Sequence, residues 1–175
     1  HMDYPLNTYH YNAVFWISPD NNRILIRNAF INGDYAGNGV SMSYRKKDGS
    51  WSKPQMLRIK NYGKYDRGRQ NGATMAHDGQ TLLLYMSEVN GSYNNDLYVS
   101  FLEGDGNWSE PKSLGKKINL PKYNEMTPYL GADGETLVHG AAQAIALALH
   151  VGGEATGGLL AIGEGLGRGG GGGAQ

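Results

Sequence analysis

Met42-Ser43-Tyr44-Arg45-Lys46-Lys47-Asp48-Gly49-Ser50-Trp51-Ser52-Lys53-Pro54 recurs as Val99-Ser100-Phe101-Leu102-Glu103-Gly104-Asp105-Gly106-Asn107-Trp108-Ser109-Glu110-Pro111. The offset is 57 without a gap, and six of the 13 positions are identical. Leu57 and Leu114 continue the register. A fixed long period marks a repeat architecture, in which each unit buries its faces against its neighbours.

A second signature accompanies the first. Ser18-Pro19-Asp20-Asn21, Ala76-His77-Asp78-Gly79 and Gly131-Ala132-Asp133-Gly134 are each followed by an apolar run, and their aspartates stand 58 and 55 residues apart. Asp-Gly between apolar runs signals a hairpin, because Gly accepts positive φ and Asp caps its own turn. Thr74 to Ala76 and Thr81 to Met86 therefore read as antiparallel strands joined at Asp78-Gly79. Leu97 to Phe101 reads as a third strand. After a turn at Asp105-Gly106, Trp108-Ser109 opens a fourth that ends near Pro111, where proline fits an outer edge. Four short antiparallel strands in about 57 residues make the blade of a β-propeller. The fold class expected is all-β: antiparallel four-stranded blades of an incomplete propeller, with a Gly/Ala-rich C-terminal tail.

Composition agrees. Twelve Tyr and three Trp against three Phe suit half-buried pleated surfaces. Sixteen basic and 16 acidic residues cancel, so charge gives no reason to expect nucleic acid as a partner. No cysteine is present, which excludes a disulfide scaffold and a Cys-ligated zinc site. No run of about 20 apolar residues can span a membrane as a helix. His1-Met2 reads as the scar of a cleaved expression tag.

Asp96-Leu97-Tyr98-Val99-Ser100, Trp108 to Leu114, Ile118-Asn119, Glu125, Pro128 and Ala132 to Leu137 resemble the WD-like propeller repeats of the TolB type. Such repeats occur in bacterial envelope proteins, some of which carry an OmpA-like peptidoglycan-binding domain. The resemblance covers roughly residues 10–137. It departs from the pattern in the first full unit, where Gln70 and Ala73 replace Glu and Pro. It implies a propeller that is not an enzyme and that binds a protein or peptidoglycan-associated partner in the periplasm or cell envelope. A carbohydrate-binding, lectin-like or glycosidase-type propeller is the alternative.

The repeat occupies residues 3–137, two blades plus the first hairpin of a third, and then breaks. Residues 138–175 hold 13 Gly and no Asn, Asp, Lys, Pro or aromatic residue. Three readings stand: a frameshifted or vector-encoded extension, a native linker, or a segment that closes the fold. Within it Ala141 to Val151 reads as strand by alternation and as helix by its Ala and Leu content. Gly167 to Gly173 is expected to be disordered. So few blades cannot close a ring of ~4–8, so the expectation is exposed blade faces, self-association through open blade edges, or a cover formed by Val138 to Leu160.

Asp20, Asp78 and Asp133 fall in the equivalent turn of different blades and are assigned as structural repeat positions, not a metal or acid–base set. Trp51 and Trp108, also repeat-equivalent, are assigned to packing between blades rather than to sugar stacking. Eight residues before each aspartate stands a polar side chain: Asn12, Gln70 or Glu125. An innermost propeller strand begins near the central channel, so these three are candidate ligand-binding residues. Arg58, Lys60, Lys64, Arg67 and Arg69, interleaved with Tyr62 and Tyr65, form a basic aromatic stretch of the kind that binds phosphate or single-stranded nucleic acid. With zero net charge a solvated loop is expected, and Arg67 and Arg69 are kept as ligand-binding candidates. No His/Cys metal spacing, EF-hand order, P-loop or nucleophile elbow occurs, so no catalytic residue, metal or cofactor is expected. Glu125 with Asp66 is the one carboxylate pair considered for a glycosidase, with no support from spacing.

Overall fold

The computed structural model describes residues 5–7, 13–133, 136–141 and 144–150. Blade 1 is a four-stranded sheet in the order β1 (Val14–Ile17), β2 (Arg23–Ile31), β3 (Asp34–Tyr44) and β4 (Gln55–Met56). One helical turn, α1 (Tyr62–Tyr65), leads to blade 2: β5 (Gly72–Met75), β6 (Thr81–Met86), β7 (Asp96–Phe101) and β8 (Lys112–Ser113). The third sheet holds β9 (Glu125–Leu130), β10 (Thr136–Ala141) and β11 (Ala144–His150). Every pairing within these sheets is antiparallel and joins strands adjacent in the chain. Tandem meanders stacked face on face are the arrangement of propeller blades.

Alternation along each strand builds the stack. In β6, Leu82, Leu84 and Met86 face blade 1, where they meet Leu25, Val40 and Met42. Leu83 points the other way, toward Leu130 and Leu137 of the third sheet. The far side of blade 1 is closed by Ile24, Ile26 and Phe30 under Leu6 and the edge of Trp51.

The 57-residue repeat is also a repeat of hydrogen bonds. Ser43 Oγ donates to the Ser52 carbonyl at 2.7 Å, and Ser100 Oγ to the Ser109 carbonyl at 2.7 Å. Tyr44 N–H donates to Ser52 Oγ at 3.0 Å, and Phe101 N–H to Ser109 Oγ at 3.0 Å. The same serine pair thus staples the third strand to the returning chain in both blades.

One local expectation changes, one turn is added and one alternative is decided. The fourth strand of blade 2 lies after Pro111, at Lys112–Ser113, not from Trp108 to Pro111. Trp108 sends its N–H to the Arg58 carbonyl in the preceding linker, at 2.8 Å, and Pro111 has no N–H to give a ladder. The β2–β3 hairpin turns at Asn32-Gly33, whose φ values of 54° and 90° suit a type I′ turn. Asn-Gly between two apolar runs is itself a hairpin signal. Finally, β10 runs through position 137, and Ala144–His150 takes the strand alternative, paired with β10. Residues 151–175, including Gly167 to Gly173, lie outside the described residues.

Candidate functional site

A single extra residue decides which side chains meet at the inner ends of the blades. In β5 and β6 the register is unbroken from Met75↔Leu82 to Gly72↔Tyr85. In β9 and β10 it slips between Val138↔Tyr129 and Gly140↔Met126. The bulge sits on β9, where Thr127 has φ of 46°. Glu125 therefore comes level with Asn71, not with Gln70. Asn71 is 4% exposed and Glu125 0%, whereas Gln70 is exposed. By the same register His139 occupies the place of Leu84.

In the seam between blades 1 and 2, Asn71 Nδ2 donates to Asp66 Oδ2 at 2.6 Å. The buried Tyr62 hydroxyl faces the same carboxylate without an aligned hydrogen bond, and Arg27 from β2 lends positive charge. Burial raises the Asp66 pKa; the Asn71 and Tyr62 hydroxyl and amide contacts and Arg27 oppose it. Burial, followed by the Asp66 charge, also raises Tyr62 well above a normal phenol. Asp66 Oδ1 and Asn71 Oδ1 have no hydrogen-bond partner. Tyr85 lies across Gly72, its ring 2.2 Å from where a Cβ would stand, so only glycine fits there.

In the seam between blades 2 and 3, His139 Nδ1 approaches Glu125 Oε2 at 3.0 Å, with both side chains enclosed. The contact is a charge approach rather than an aligned N–H···O bond, and His139 Nε2 has no partner. Leu120 N–H reaches Glu125 Oε1 at 3.4 Å. Glu125 N–H donates to the Asn95 carbonyl at 3.0 Å, and Asn95 N–H to Asn124 Oδ1 at 2.8 Å. The Asn95 side chain is fully buried, and neither end of its amide is paired. Burial raises the Glu125 pKa from its ordinary value; His139 opposes this and Asp96 reinforces it.

The remaining candidates are distributed as follows. Asn12 lies outside the described residues. Arg67 is exposed and joins its backbone N–H to the Ser87 carbonyl. Arg69, also exposed, donates Nε–H to the Gly91 carbonyl at 3.0 Å and stacks on Tyr93. Asp20, Asp78 and Asp133 accept N–H bonds from Asn22, Gln80 and Thr136 inside three separate hairpin turns. Trp108 is buried in the seam between blades 1 and 2, and Trp51 is half-buried on the far face of blade 1. Asp66 and Glu125 belong to different seams. Asn71, Asn95 and His139 escaped the sequence reading; the signal for His139 was a polar residue at a core-facing position two after Leu137. Among the described residues no cluster of three His, Asp or Glu side chains could hold a metal, and no helix is long and apolar enough to cross a membrane.

No family model matches this chain, and no curated protein matches it. A solved structure, the periplasmic gluconolactonase of Pseudomonas aeruginosa, is similar over 78% of this chain and 38% of its own, at 13% identity and a TM-score of 0.46. The chain thus spans well under half the length of that neighbour. The neighbour is an enzyme by its description, and this corrects the expectation that the chain is not one: a stack of antiparallel blades does not exclude catalysis.

Proposed function

We propose that this chain is a ligand-binding propeller segment that takes a hydroxyl-rich ligand of the carbohydrate class at the inner ends of blades 2 and 3. One observation carries the reading. Asn71 and Glu125, level with each other on successive blades, each hold a buried oxygen with no aligned hydrogen-bond donor among the described residues, the Glu125 oxygen meeting His139 only as a charge approach. An unsatisfied buried polar atom costs about 1–3 kcal/mol, so two at matching positions mark a place where partner groups are missing. Sugar hydroxyls donate and accept at once. They match the acceptors left on Asp66 and Asn71 and the nitrogens left on Asn95 and at His139 Nε2. The resemblance to TolB-type envelope repeats makes a cell-wall glycan or a peptidoglycan-associated partner in the periplasm the favoured source.

Calorimetric titration with soluble muropeptides and with unrelated oligosaccharides tests the reading. Saturable heat is expected, weakened about ten-fold or more in Asn71→Ala and Glu125→Gln, each with an unchanged circular dichroism spectrum. Heat that does not saturate with any glycan, or that both substitutions leave unchanged, would sink it.

A further inference from the structure

The seam between blades 1 and 2 opens into a groove of about 560 Å³, which shares Tyr62 with the polar cluster around Asp66 but none of Asp66, Asn71, Glu125 or His139. One wall is the linker that follows β4. Lys60 N–H donates to the Trp108 carbonyl at 3.0 Å and Trp108 N–H to the Arg58 carbonyl at 2.8 Å, so the linker runs as a parallel strand beside Trp108. Strand alternation then turns Ile59 into the core, 9% exposed, and sends Arg58 and Lys60 to the groove. The opposite wall is the Asp105-Gly106 hairpin, which presents Glu103 and Asp105. Met56, Leu57 and Trp108 supply apolar lining between them.

These charges are not required by the fold. The hairpin of blade 1 makes the same backbone bonds with Lys46 as that of blade 2 makes with Glu103: Lys46 N–H to the Ser50 carbonyl at 2.7 Å, and Glu103 N–H to the Asn107 carbonyl at 2.8 Å. One repeat on, Arg58 is replaced by Gly115. Among the described residues, exposed Arg58, Lys60 and Glu103 make no side-chain hydrogen bond or close ion pair, while Asp105 accepts from Asn107 and feels Arg58 at longer range. The basic stretch of the sequence is thereby divided. Lys64 is engaged by Glu110 at 3.6 Å and Arg69 by Gly91, Arg67 lies outside the groove lining, and Arg58 and Lys60 are left to face a partner there.

We infer that this groove docks a peptide segment of a partner protein that carries an acidic side chain toward Arg58 and Lys60, a basic one toward Glu103 and Asp105, and an apolar residue between them. Opposite charges on facing walls exclude a purely anionic ligand, because half of its contacts would be repulsive. They also fix the direction in which the segment lies. The apolar lining supplies burial that an isolated ion pair at a wet surface lacks.

Blocked synthetic peptides titrated into the full chain test this, with binding followed by calorimetry and by shifts of backbone amide resonances at 57–60 and 103–108. The peptides have the core Asp-Leu-Lys, Asp-Leu-Asp or Lys-Leu-Lys. The Asp-Leu-Lys peptide is expected to bind best. Arg58→Ala/Lys60→Ala and Glu103→Ala/Asp105→Ala are each expected to weaken it about ten-fold, with fold retained by circular dichroism. Equal or tighter binding of Asp-Leu-Asp, or loss through the basic wall alone, would make this an anion site and overturn the inference. So would failure of the Asp-Leu-Lys peptide to bind at all. Neither result bears on the glycan reading, whose residues are not altered.

Discussion

The two seams of this stack are built on equivalent strands and differ in register and in chemistry. Where the first places Leu84 and Asn71, the second places His139 and Glu125. The first is closed by a continuous apolar cluster from Leu25 to Trp108, with its one buried carboxylate, Asp66, backed by Asn71. The second has an apolar outer part around Leu83, Leu97, Leu130 and Leu137, but an inner end that encloses an acid and an imidazole. Equivalent strands, one bulged and one not, can thus carry a robust interface or a titratable one. Which it becomes depends on two side chains per blade.

The largest effect is expected from attacking the robust seam. Trp108→Ala empties the centre of the cluster between blades 1 and 2 and should cost about 3–5 kcal/mol in denaturant unfolding. A loss below about 1 kcal/mol would mean that Trp108 does not hold the blades together.

The titratable seam responds differently. His139→Leu copies the residue of the first seam but strands Glu125, and should cost about 3–5 kcal/mol near neutral pH. The double variant His139→Leu/Glu125→Asn restores the chemistry of the first seam and should recover most of that loss. Additivity of the two single effects would show that the side chains do not interact.

Protonation sharpens the same contrast. The Glu125 pKa is raised in the folded chain, so folding favours its neutral form. That contribution is full below the unfolded carboxylate value and is lost as pH rises through the higher folded value. Thermal unfolding followed from about pH 4 to 7 should therefore show stability draining from the wild type but not from Glu125→Gln. Parallel curves would assign the pH dependence elsewhere.

Smaller effects compare close packing with open space. Gly72→Ala drives a Cβ into the Tyr85 ring and should cost about 1–3 kcal/mol, whereas Gly104→Ala, with nothing near its Cβ, should be close to neutral. Smallest is the serine staple. Ser43→Ala and Ser100→Ala break the same buried bond in the two blades and should each cost about 1 kcal/mol. Unequal losses would show that the blades are not energetically equivalent.

Much of this molecule was determined by sequence alone. The 57-residue repeat, the Asp-Gly turns and the alternating apolar runs define blade, hairpin and strand, because each rests on local conformation or on a period of two. The repeated serine staple follows from the same identity at Ser43, Ser52, Ser100 and Ser109. Only the tertiary structure decided the candidate site. Gap-free spacing pairs Gln70 with Glu125, but the bulge at Thr127 displaces the inner end of β9 by one residue and brings Asn71 level with Glu125 instead. A one-residue slip exchanges the buried and exposed faces of a strand, and nothing in residue spacing records it. The meeting of Glu125 with His139, and of Asp66 with Asn71, likewise depends on how chain segments approach one another. The period that reveals the blades is blind to what is enclosed between them.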